Sequence, residues 1–198
     1  GVNRIAASEV RIKLSELCYK SIACDVTEDK KHIDLSAEPL ILVCAAGLRG
    51  SNADDVGKEL AIYRAHKAAA IAIVDDGESR LGAAVETISV PEVHPAVAFV
   101  LSTMAGHLFG YEAALAIDAS ARPLRQARAH IESLIAAAAE SAADDLLAPL
   151  ARDLEPCAAQ FFAGLRAGGY DGAMEARTAV RLASLLRFAT GVVPLDAY

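Results

Sequence analysis

The chain has 198 residues, 54% of them hydrophobic and 23% charged, with a formal net charge of −7. That length fits one domain, or one domain with an appendage, and the apolar fraction is enough for a sizeable core. The acidic balance argues against a nucleic-acid or anionic-membrane surface, since phosphate binding needs clustered Lys and Arg.

The four cysteines, Cys18, Cys24, Cys44 and Cys157, form no CxxC pair and no zinc spacing. They read as reduced, small hydrophobes of a cytoplasmic protein. No apolar segment of signal-peptide type stands near the N-terminus.

In chain order, residues 4–21 carry Val10, Leu14, Leu17 and Cys18 at the i, i+4, i+7, i+8 spacing of a core-facing helical stripe. Residues 21–26 read as a short extended piece. Residues 27–33 (TEDKKHI) open with a capping threonine and an acidic first turn, which predicts a short helix carrying His32. LILVCAA at 40–46 is a continuous apolar run of strand length, followed by the loop GLRGSN. A helix is predicted over 54–67, a second buried strand over 70–74 and a third over 87–90. Strands without alternation, separated by helix-length segments, indicate a parallel sheet covered on both faces.

Residues 95–117 are long and apolar enough to span a bilayer, but they include His107, Glu112, Ser102, Thr103 and Tyr111. The reading adopted is a helix buried against the sheet, with no membrane, in which Gly106 and Gly110 mark a close approach. From Pro123 to Thr190 no strand-like run occurs. Helices are expected over 124–147, over 157–167, and over 171–188 with Asp171 as N-cap. The expected fold class is therefore α/β, a three-layer αβα parallel sheet over residues 1–122, with a helical extension over 123–198. The absence of a strand before the first helix, and the uncapped apolar end GVVPLDAY, suggest a piece of a longer protein.

Lys13 and Glu16 stand at i, i+3 and share a helix face. From spacing alone they read first as a solvated helix ion pair, with His32 a surface histidine, and only second as a proton-transfer site; nothing local brings His32 to them. The order and spacing of GVN at 1–3, KLSELCY at 13–19, KKHI at 30–33, LILVCAAG, AIAIVDDG, ISVPEVHPAVAF and AIDASARPLRQAR decide how they are read. Over about residues 1–128 the chain resembles the sugar isomerase (SIS) domains, flavodoxin-like in fold. The likeness is greatest to the second SIS half of the glucosamine-6-phosphate synthase family, the isomerising glutamine–fructose-6-phosphate aminotransferases. The resemblance implies a fructose 6-phosphate-type substrate, no cofactor, and a first SIS half and an amidotransferase domain as partners. It implies that His32 assists ring opening, that Glu16 moves a proton between the first two sugar carbons, and that Lys13 assists Glu16.

Two departures from the family stand out. The family's imine-forming lysine falls at Arg128, and an arginine stays protonated and forms no imine. No lysine follows Lys67. The loop GLRGSN also lacks the Ser/Thr-rich pattern that cradles a sugar phosphate, which leaves backbone amides around Gly47 and Ser51 as candidate anion donors. Arg125 and Arg128, in a run with Arg122 spaced by threes, are candidate phosphate or carboxylate forks. A non-catalytic sugar-phosphate sensor is the second reading. A homodimer is expected, through tail faces such as Ile131, Leu134, Ile135, Leu182, Leu185 and Leu186.

Overall fold

The computed structural model describes residues 1–30, 39–137 and 143–197. The chain divides into two compact units, Gly1–Leu115 and Ala116–Tyr198.

The first unit holds α1 (Asn3–Cys18), the single turn α2 (Thr27–Lys30), β1 (Leu40–Cys44), α3 (Gly50–Ala65), β2 (Ala69–Asp75), β3 (Glu86–Val90) and the first half of α4 (Ala98–Ala137). The three strands form a parallel sheet in the order β1-β2-β3, with Leu42 opposite Ile71 and Ile73 opposite Ile88. The chain is thus a mixed α/β protein with a central parallel sheet. Side chains alternate across a strand, and the core divides accordingly. Ile41, Val43, Ala70, Ala72 and Val74 pack with Leu60 and Tyr63 of α3 and with Leu81. On the other face Leu42, Cys44, Ile73, Ile88 and Val90 pack with Ala98, Leu101 and Ala105 of α4. The alanines of β2 leave room for Leu60 and Tyr63, which are completely buried. The Tyr63 phenol donates to the carbonyl of Thr27, tying α3 to the first residue of α2.

The helix α1 buries Ala6, Val10 and Cys18, and its N-terminal Asn3 donates Nδ2–H to the carbonyl of Ala46 at 2.9 Å. It lies along α4 at two glycines. A Cβ on Gly106 would stand 2.2 Å from Cγ2 of Val10, and one on Gly110 would stand 3.4 Å from Leu14. The paired glycines therefore serve a close helix–helix contact. The expected burial of α4 holds for one side only. Ala98 and Ser102 are fully buried, while Met104 and Leu108 are 59% and 68% exposed. Residues 21–26, expected to be extended, form no strand.

Proline reads as punctuation in a sequence because it lacks the N–H and crowds the preceding turn. Here α4 runs through Pro123, where a boundary is expected from sequence, and α5 (Ala143–Arg166) runs through Pro149 and Pro156. The following residues supply the reason: Leu124 and Ala127 pack into the second unit's core, as do Leu150, Leu154, Cys157 and Ala158. Burial of these faces holds the turns beyond each proline.

The second unit is completed by α6 (Ala176–Ala189) and a 3-10 turn at Leu195–Ala197. It closes around Phe161, which is fully buried, with the Tyr170 ring 5.2 Å away between centroids. Asp171 does not cap α6. Gly172 takes a φ of +68°, which breaks the helical path, and Glu175 precedes the helix in extended backbone. Leu182 and Leu186, expected on an oligomer face, belong instead to this unit's own core.

Candidate functional site

The helix α1 places Lys13 and Glu16 together. The Lys13 ammonium donates to Glu16 Oε2 at 2.8 Å, with side chains 35% and 58% exposed. Each changes the other's basicity. The hydrogen bond and the charge of Lys13 hold the Glu16 carboxyl below the ordinary range, and Glu16 raises Lys13. A lowered carboxyl is a weaker base, so Glu16 paired in this way is not poised to take a carbon-bound proton near neutral pH. Glu16 regains basicity only where Lys13 turns away from it, a motion its long flexible stem allows. His32 lies outside the described residues.

The structure adds two groups that helical spacing did not single out. Glu9 stands one turn before Lys13, and its Oε1 is 3.4 Å from Nε2 of His107 on α4. That nitrogen is buried without an aligned hydrogen bond. Glu9 also raises Lys13, and His107 also lowers Glu16. Four ionisable groups from two helices therefore share one electrostatic neighbourhood. The sequence signal that was available is the i, i+4, i+7 series Glu9, Lys13, Glu16. His107 has no such signal, because only the Gly106 contact brings its helix alongside. Next to this face runs a shallow groove of about 440 Å³ bordered by Gly1, Arg4, Ile5, Ser8, Glu9 and Ile12.

A second polar cluster stands at the C-terminal ends of the strands, where parallel α/β sheets commonly bind ligands. Asp75 ends β2 and is only 5% exposed. Both of its oxygens accept from the Gly47 N–H at 3.0 Å, and Oδ2 also accepts from Arg49. The second arm of Arg49 reaches Glu92 Oε1 at 2.8 Å. Gly47 is held at a φ of +77°, and a Cβ there would stand 2.6 Å from Cβ of Ala98. The cluster fixes the loop after β1 against α4. Its internal carboxylate takes the Gly47 amide, one of the candidate anion donors. Ser51 is exposed in the first turn of α3.

These two clusters do not converge. Asn3 touches Ala46 beside Gly47, and at 1.5 Å per residue Lys13 and Glu16 lie about 15–20 Å further along α1. Arg125 and Arg128 belong to the second unit and pair with acids of their own helix. Arg125 Nη2 donates to Asp118 Oδ1 at 2.7 Å, and Arg128 Nε donates to Glu132 Oε1 at 2.7 Å. The Arg128 side chain is 79% exposed, and Glu132 raises its pKa further. Among the described residues, no group of three or more His, Cys, Asp or Glu side chains is placed to hold a metal, and the four cysteines are free thiols.

One acid–base feature of the first unit is open to direct measurement. Glu78 receives a side-chain hydrogen bond from Arg80, which holds its carboxyl at about 2 against an ordinary 4.5. A carboxyl lowered on folding stabilises the native state above its unfolded pKa, and that stabilisation is lost as pH falls through the folded value. Stability should therefore decline from about pH 4.5 toward pH 2. Glu78→Gln should flatten that part of an acid titration followed by circular dichroism, and an unchanged acid limb would rule the pairing out.

Comparison with protein-family models, with curated proteins and with solved structures finds no match.

Proposed function

We propose that this chain is the isomerase half of a protein similar to the isomerising glutamine–fructose-6-phosphate aminotransferases, built on a three-layer SIS fold. In this reading it binds a hexose 6-phosphate in the cytoplasm and supports ketose/aldose isomerisation. An upstream SIS half and an amidotransferase domain of the same protein complete the substrate site. The observation that carries the reading is the Lys13–Glu16 pair at 2.8 Å on one face of α1, within the segment that resembles that family. The parallel βαβ arrangement is compatible with it.

The chemistry asked of these residues is modest. A ring-opened sugar phosphate presents a carbonyl and an adjacent carbon-bound proton. An ammonium beside the carbonyl oxygen favours the enediol, and a carboxylate released from that ammonium carries the proton between the two carbons. Lys13 and Glu16 are the right pair for this exchange, and the loss of their mutual contact on substrate binding raises Glu16 toward the working range.

A second reading is favoured by Arg128, which cannot form an imine and is already engaged with Glu132. Under it the chain senses or binds a sugar phosphate without turnover. Isothermal titration calorimetry with fructose 6-phosphate and glucose 6-phosphate on the protein that contains this segment together with its upstream half, run beside an isomerisation assay on the same preparation, separates the two. The isomerase reading expects binding accompanied by interconversion of the two sugars. Binding without interconversion favours the sensor, and no heat with either sugar overturns both.

A further inference from the structure

The helix α4 has three sides within the first unit. Ala98, Ser102 and Ala105 face inward, the first and last of them packed in the core on one face of the sheet, and Gly106 and Gly110 meet α1. The third side carries Val100, Met104, Leu108, Tyr111 and Leu115, exposed by 44, 59, 68, 53 and 46%. At 100° per residue these five fall within an arc of about 80°. With Val97, 50% exposed just before the helix, they present on the order of 600 Å² of mostly apolar surface, at the upper end of what a monomer leaves bare. A standard interface takes about 800 Å² from each partner, so this stripe and its polar margin suit one.

We infer that this face of α4 pairs with the same face of a second copy, antiparallel, about a two-fold axis between His107 and Leu108. The sequence of the stripe supports this occupant. A two-fold interface must be self-complementary. About a centre at 107.5, Met104 and Tyr111 lie equally far on either side, as do Val100 and Leu115, and Leu108 sits at the centre. Antiparallel pairing therefore sets Met104 against Tyr111 of the second copy, a favourable sulfur–aromatic contact. It sets the small Val100 against Leu115 and brings the two Leu108 side chains together. The 4-4-3-4 spacing is that of a helix–helix seam.

A lipid surface fits less well. By length and composition α4 is the one helix among the described residues able to cross a bilayer. However, a helix lying on a membrane carries Lys and Arg along its margins, and none occurs from Ala98 to Ala121. The inference does not depend on the isomerase reading.

Light scattering on the full chain at about 100 µM should give twice the chain mass of 20.7 kDa. Leu108→Glu should give the single mass with an unchanged helical spectrum, and its melting temperature should no longer depend on protein concentration, as that of the dimer does. Leu108→Ala, which keeps a good helix former, should weaken the dimer at least about tenfold. The register has its own test. Met104→Lys and Tyr111→Glu should each give monomer, and the double variant should restore the dimer by pairing the new charges across the axis. A monomeric wild-type chain, a dimer indifferent to both Leu108 variants, or a monomer that floats with phosphatidylserine vesicles would overturn the proposal. Failure of the double variant to recover would overturn the antiparallel register.

Discussion

Glu16→Gln in the protein that carries this segment should reduce sugar isomerisation by roughly 10²–10⁴-fold, the range a positioned acid–base group supplies. The substitution keeps the side chain's size and a hydrogen-bonding oxygen but removes its ability to take a proton. Since Glu16 is 58% exposed and its contact with Lys13 lies at the surface, the melting temperature should not move. Exposed ion pairs contribute little to stability, so a large kinetic loss without a stability loss separates a catalytic role from a structural one. Lys13→Met should also slow turnover, and it should move the acidic limb of the pH–rate profile upward. Removing the ammonium releases Glu16 from the influence that holds its carboxyl low. A Glu16→Gln protein with normal turnover would leave the pair as surface chemistry and no more.

Gly106→Ala should destabilise the first unit by about 2 kcal/mol, against the usual sign for such a change in a helix. Replacing a helical glycine by alanine normally gains about 1 kcal/mol from the restricted unfolded chain. Here the new Cβ would stand 2.2 Å from Cγ2 and 2.9 Å from Cγ1 of Val10. Valine has essentially one rotamer in a helix, so Val10 has no free swing and α1 must shift instead. In a Val10→Ala background the two methyl groups are gone and only the residue 10 Cβ remains close, at 3.2 Å, so Gly106→Ala should lose most of its cost. Urea denaturation of the four proteins in this cycle reads the coupling directly. If Gly106→Ala stabilises the otherwise unchanged chain, α1 does not rest on α4 at that glycine. The displacement also bears on the candidate site, because α1 carries Glu9, Lys13 and Glu16, and His107 follows Gly106.

The strands were legible because they are short, mostly apolar runs bounded by Pro39, Asp76-Gly77 and Pro91, and the structure moves their ends by one or two residues. Two kinds of feature were not. Helices that pass through Pro123, Pro149 and Pro156 persist because buried neighbours outweigh the lost hydrogen bonds, and burial is a tertiary fact that local punctuation does not carry. The glycine at 172 was visible, but its positive φ, which undoes the expected Asp171 cap, was not. For the candidate site, Lys13 with Glu16 was readable from helical periodicity alone. The Glu9–His107 approach joins residues 98 positions apart, and the buried Asp75 holds the amide of Gly47 across two strands. Both require the fold.

The central claim is that this chain carries a proton between the adjacent carbons of a sugar phosphate. The most direct measurement is solvent isotope exchange. Fructose 6-phosphate is incubated in deuterated buffer with the protein that contains this segment, without glutamine, and deuterium at the first and second carbons is followed by NMR. Enzyme-dependent incorporation that disappears in Glu16→Gln is the predicted result. Fructose 6-phosphate that binds and is recovered without deuterium, or exchange that Glu16→Gln leaves at the wild-type rate, would contradict it.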